Sequence, residues 1–140
     1  MGVDRNAACP CGSGDKSKRC CAPVVAGVRP AADPVALLRA RYSAYAWGAV
    51  DFLMDSAAGE AAEPDRDAWR ASLVQYCRVL RLTGLHIVST RWGEADGEVH
   101  YRAGLVVQGR PSTLVERARY DRADGRWRYT GGVLGDDATG

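Results

Sequence analysis

The sequence predicts an α+β protein: a cysteine knuckle first, then helices, then an antiparallel sheet. Three observations carry this. Apolar residues recur at helical spacing in two stretches between Asp33 and Leu80. Beyond Gly84 the period drops to two, in four segments separated by turns rich in glycine. Four of the five cysteines fall within residues 9–21. A run of helices followed by a run of strands is the order of an α+β domain.

The cysteine stretch is Cys9-Pro10-Cys11-Gly12-Ser13-Gly14-Asp15-Lys16-Ser17-Lys18-Arg19-Cys20-Cys21. Thiols stay reduced in a cytosol, so a tight cluster points to a metal site before a disulfide framework. Four thiolates at about 2.3 Å satisfy tetrahedral zinc with no other ligand. The close pairs Cys9/Cys11 and Cys20/Cys21 grip the ion from two sides. Gly12 and Gly14 suit the backbone that must wrap closely around sulfur. Lys16, Lys18 and Arg19 offset the negative charge of a four-thiolate site and favour the thiolate forms. A closed set of four ligands leaves no position for water or substrate, which makes the site structural. Thiolates accept iron as well as zinc, so zinc is the expectation and iron stays open. Surplus or vicinal redox thiols are the plainer alternative, and the spacing, glycines and lysines argue against it. The knuckle is assigned to residues 1–22.

Residues 23–33, with Pro23, Gly27 and Pro30, read as a linker. Asp33 then supplies an N-cap and Pro34 a first helical position. Leu38, Tyr42, Tyr45, Ala49 and Phe52 form a helical stripe, with Gly48 as a point of break or bend. A loop ending at Pro64 precedes a second helix, where Trp69, Leu73, Tyr76 and Leu80 repeat at the same spacing. The strand segments are Leu85–Trp92, Glu98–Gln108, Thr113–Asp121 and Arg126–Thr130. Their expected connections are Glu94–Gly97, Gly109–Ser112 and Arg122–Gly125. The folded domain is assigned to residues 34–132, and residues 133–140 to a flexible tail.

The 140 residues suffice for one domain and a small appendage, and 46% hydrophobic against 26% charged residues is ordinary for a folded chain. No apolar run approaches the roughly 20 residues that span a bilayer, so membrane insertion is not expected. The first residues lack the basic-then-apolar layout of a secretory signal, and a cytoplasmic location is the default. The net charge of +2 resides in residues 1–33, and the remainder is balanced. Three cations without a stacking aromatic form a poor nucleic-acid footprint.

The cysteine stretch closely resembles the SEC-C motif, found at the end of the SecA translocase and in many small bacterial proteins. SecA-type motifs end in Cys-His; this one ends in Cys20-Cys21, as in the wider SEC-C family. Ser17 stands where an aromatic residue often precedes the second lysine. The rest of the chain is similar to the YchJ family. The carrying residues are Leu38-Arg39-Ala40-Arg41-Tyr42-Ser43-Ala44-Tyr45, Gly48–Leu53, Gly97–Tyr101, Glu116–Tyr120 and Trp127-Arg128-Tyr129. The resemblance implies an N-terminal SEC-C knuckle before a domain of the nuclear transport factor 2-like fold, a curved sheet wrapped by helices into a cone. It names an architecture and no reaction.

Strand alternation sorts the sheet residues. Val99, Tyr101, Ala103, Leu105 and Val107 share an apolar, inward face, with His100 and Arg102 on the other. Leu114, Glu116, Ala118 and Tyr120 share the inward face of the next strand. Glu116 is thus turned inward, and a buried carboxylate needs a partner. Arg41 is the expected one. Either this pair is structural, or Glu116 sits at a wet rim, or Glu116, Arg41 and Tyr45 converge on a ligand cavity with Glu116 as general base. His86 and His100 are expected at the surface, and Cys77 in the core.

Two functions compete. In the first, the knuckle presents Lys16, Lys18 and Arg19 to an acidic protein partner, by analogy with SecA, whose knuckle engages a chaperone and the ribosome. In the second, the cone binds or transforms a small ligand. RNA binding ranks third. A homodimer through the open sheet face is compatible with either.

Overall fold

The computed structural model describes residues 2–135. A single turn of 3-10 helix, Ser17–Arg19, leads into a short helix α1, Cys21–Val25. Helix α2, Pro34–Trp47, begins where the Asp33 carboxylate accepts the Ala36 N–H at 2.8 Å. It ends at Gly48, whose φ of +69° suits a residue without Cβ. The chain restarts as α3, Val50–Asp55, so Gly48 breaks the helical stripe in two. Helix α4, Arg66–Val79, is capped by Asp65, which accepts the Ala68 N–H at 3.1 Å.

Four strands follow as a meander, β1 Leu80–Trp92, β2 Asp96–Val107, β3 Arg110–Ala123 and β4 Arg126–Leu134, each antiparallel to the next. Strand β1 starts directly from α4, five residues ahead of the expected Leu85; Leu80 and Leu82 already face inward, and Arg81 and Thr83 outward. The turn between β2 and β3 is centred on Gln108-Gly109, with φ of +52° and +80°, and not on Gly109–Ser112. Both residues are left-handed, the geometry whose twist matches a two-residue hairpin. Asp124-Gly125, at +53° and +75°, does the same between β3 and β4. Register shifts at Leu82/Gly84 and Ile87/Ser89 in β1 and at Arg119/Tyr120 in β3 bend the strands, as bulges do.

The inward face of the sheet packs on α2. Val99, Tyr101, Ala103, Ala118, Tyr120 and Trp127 meet Leu37, Leu38, Ala40 and Tyr42 in one buried cluster. A second cluster, Ala44, Val50, Leu53, Met54 and Cys77, joins α2, α3 and α4. Cys77 is the expected core thiol, and burial pushes its pKa up.

Three expectations change. The knuckle is not an appendage: Cys9, Cys11, Cys21 and Val24 belong to the same buried cluster as α2 and the sheet. Part of the expected linker is helix α1, which packs on α2. Strand β4 extends to Leu134, past the residue 132 boundary, because Glu116 and Arg117 pair with Leu134 and Val133; residues 136–140 of the expected tail lie outside the described residues. His100 is a correction too. It points away from the α2 face, as alternation requires, yet only 7% of it is exposed. His86 is exposed, as expected, and so is Trp92.

Candidate functional site

The knuckle is closed by backbone hydrogen bonds before any ligand is considered. Cys9 N–H donates to Asp15 O at 2.9 Å, Gly12 N–H to Cys9 O at 3.1 Å, and Ser17 N–H to Ala7 O at 2.9 Å. Gly12 and Gly14, at φ of +77° and +94°, supply the reversals. The result brings the sulfurs of Cys9, Cys11, Cys20 and Cys21 within 4.8 Å of one another. The Cys11–Cys20 and Cys20–Cys21 sulfurs are 3.5 and 3.8 Å apart. Four sulfurs placed about 2.3 Å from one ion stand about 3.8 Å apart by tetrahedral geometry. The donor set therefore fits zinc.

The gathered thiols perturb one another. The thiol of Cys11 is drawn down to about 4 by its hydrogen bond with Cys21; burial opposes this, and hydrogen bonds from Ser13 reinforce it. Cys21 is raised by that same bond and by its own burial, and Cys20 by burial. The thiols are free, with no disulfide among the described residues.

Helix α2 joins this centre to the cone. On one side Arg39 donates to Cys11 O at 2.8 Å, and Ser43 Oγ lies 3.5 Å from Cys9 Sγ. On another, Leu38, Arg41, Tyr42 and Tyr45 line a cavity of about 340 Å³ between the helices and the sheet. The spacing of each set puts it on one helical face.

The cavity contains the three residues expected to converge, Arg41, Tyr45 and Glu116, but not the ion pair. Arg41 donates to Leu53 O at 2.8 Å and to Ser56 Oγ at 2.6 Å, and its charge lies 4.8 Å from the Tyr129 ring centre. Those acceptors lie on and just beyond α3, and they capture the guanidinium first. Glu116, 5% exposed, is held by two phenols instead: Tyr101 donates to one oxygen at 2.6 Å and Tyr129 to the other. Burial, with the Glu116 charge behind it, pushes the Tyr101 phenol far up and keeps it a donor. Tyr129 follows for the same reasons. Tyr45 packs edge-on against Tyr76, with ring centres 5.9 Å apart.

Sequence reasoning passed over Tyr101, Tyr129 and Gly132. Tyr101 and Glu116 are direct cross-strand partners, and a hairpin counted outward from Gln108-Gly109 would have paired them. Gly132 leaves the room the carboxylate occupies: a methyl group there would lie 2.3 Å from Glu116 Oε2. Around the knuckle, Lys16 and Arg19 are exposed and Lys18 is half-buried. No helix among the described residues is long and apolar enough to cross a membrane.

Comparison with known proteins agrees with this architecture. Residues 5–23 match the SEC-C motif, and residues 33–132 match the middle, NTF2-like domain of YchJ. A UPF0225 protein of Pectobacterium carotovorum is 35% identical over 130 residues, covering 89% of this chain and 82% of the relative. The UPF0225 protein YchJ of Shigella dysenteriae is 33% identical over 130 residues, with the same coverage of both chains. Among solved structures, a SEC-C motif containing protein from Rhodopseudomonas palustris superposes with a TM-score of 0.78 at 28% identity, covering 91% of this chain and 98% of its own. A SEC-C motif containing protein from Psychrobacter arcticus shares the fold, with a TM-score of 0.71 at 15% identity over 91% of this chain and 82% of its own. The chain thus belongs to the YchJ (UPF0225) family, with a SEC-C motif set against an NTF2-like domain.

Proposed function

We propose that the cone is a receptor for a small organic ligand and that the four cysteines hold one zinc ion as a structural staple behind its wall. The observation that carries the first part is the cavity of about 340 Å³, with Arg41, Tyr45 and Glu116 on its lining. Pockets of this kind, apolar with a few converging polar groups, are the usual place for a ligand. Glu116 offers each oxygen's second lone pair to the ligand. A general-base role would require the ligand to bring a proton to those same lone pairs. Held by Cys9, Cys11, Cys20 and Cys21, a zinc ion would cross-link the chain, and four thiolates would leave no open position for a reaction step. Two measurements test this reading. Metal analysis of protein purified under reducing conditions without chelator should give one zinc per chain, with iron as the competing result. A fragment screen by amide chemical shifts should perturb residues of the cavity; a screen with no response there would remove the receptor reading.

A second reading is supported by the knuckle's surface. Lys16 and Arg19 are exposed, and among the described residues neither forms an ion pair. With Lys18 they form a rigid cationic loop suited to an acidic protein partner. Capture of one partner by the wild-type chain, lost on Lys16→Ala with Arg19→Ala at unchanged zinc content, would support it. Free thiols suit a reducing cytoplasm. Sedimentation would test a homodimer through the sheet.

A further inference from the structure

Resting on the receptor reading above, we infer that the cavity takes a small hydrophobic amine, its ammonium group received by Glu116 and the neighbouring tyrosine rings. Among the described residues, Glu116 is the sole acidic one on the cavity's lining. Its two hydrogen-bond donors, Tyr101 and Tyr129, are neutral phenols. A buried carboxylate ordinarily needs a cation as well as hydrogen bonds. The one cation on the lining among the described residues, Arg41, is bound to Leu53 O and Ser56 Oγ and forms no ion pair with Glu116. Glu116 thus has two hydrogen bonds but no direct ionic partner, and an ammonium group would supply one.

The walls suit the same chemistry. Tyr42, Tyr45 and Tyr120 line the space, and aromatic faces attract an ammonium ion, more strongly where water is excluded. Leu82, Leu105 and Leu114 give the rest of the ligand an apolar surface. Burial holds the Tyr120 phenol high, so it adds no second negative charge. A volume of 340 Å³ lies near the small end of the about 300–1,000 Å³ typical of ligand pockets, which fits a one-ring or short-chain amine. A carboxylate ligand would instead face the charge of Glu116, and would have to draw on Arg41 donors other than Nη1, which Leu53 O and Ser56 Oγ already take.

The test uses the zinc-loaded full chain, labelled with 15N, and three probes of similar shape: 2-phenylethylamine, 3-phenylpropionate and 3-phenyl-1-propanol. The amine should shift the amides of Tyr101, Glu116 and Gly132 and bind at least roughly tenfold more tightly than the alcohol, the scale of one buried charge-assisted contact. Glu116→Gln keeps the side-chain shape and should bring the amine down to the alcohol's affinity while leaving the alcohol unchanged. Should that variant fail to fold, the ranking of the three probes on the wild-type chain decides alone. Binding of the propionate as tightly as the amine overturns the amine assignment and leaves the receptor reading standing. No saturable shift from any of the three at millimolar concentration overturns both.

Discussion

Residues 9–21 and residues 34–134 are folded by different forces. The knuckle closes on itself through a few backbone hydrogen bonds and four gathered sulfurs, and its loop from Gly12 to Lys16 is exposed. The cone closes through apolar burial, in which Val99, Ala118 and Leu37 are almost entirely hidden. A tight metal loop could have hung from the domain as a separate bead. It does not, because Cys9, Cys11 and Cys21 are buried in the cone's own cluster. Helix α2 touches the sulfurs with Arg39 and Ser43 and lines the cavity with Arg41 and Tyr45. The difference teaches that two modules recognisable as separate motifs can share one core when a single helix is buried on more than one side.

Removing the metal is the hardest test of that shared core. Structural zinc sites contribute on the order of 10 kcal/mol of binding free energy, and here the collapse would expose buried surface of α2 and the sheet. Chelation, or Cys11→Ser, should lower the melting temperature of the entire chain in one transition by calorimetry. Two transitions, the upper one unchanged, would make the knuckle an autonomous bead again. Next comes the far side of the cone. Leu53 is 0% exposed in the cluster of α3 and α4, so Leu53→Ala should cost about 2–5 kcal/mol in urea unfolding. Zinc affinity should stay unchanged, because no cysteine of the knuckle belongs to that cluster.

A smaller effect separates the cavity from the knuckle. Gly132→Ala would press a methyl group into the Glu116 carboxylate, and overpacking of this kind costs about 1–3 kcal/mol. The amide shifts of Tyr101 and Tyr129 should move while those of residues 9–21 stay in place; movement at the knuckle would mean that the coupling through α2 reaches the carboxylate. Asp33→Ala removes the cap of the shared helix and should cost about 1 kcal/mol, read from the same denaturation curves. The least effect is kinetic. After chelation, a thiol reagent at pH 8 should modify Cys20 well before Cys77, because Cys77 is buried in the cone and Cys20 is only half-buried. Equal rates would show that the second cluster opens as readily as the knuckle.

The elements were legible because their signals are local. Asp33-Pro34 marks the start of α2, and Gly48 the break that follows it. The inward face of β2 followed from alternation alone. What was misjudged lay where two distant segments compete for one group. Arg41 is the expected partner of Glu116, but Leu53 O and Ser56 Oγ, twelve and fifteen residues further on, take it. Alternation puts His100 on the face of the strand away from the helices, and says nothing about what covers that face.

Spacing alone determined the four-sulfur set, the order of helices and strands, and which sheet residues point inward, since each depends on bond geometry within a few residues. Only the tertiary structure decided that the knuckle shares the cone's core, that two tyrosines hold Glu116, and that a space remains beside them. Those outcomes depend on the angle at which α2 lies across the sheet, and that angle is set by the packing of side chains brought together from both ends of the chain.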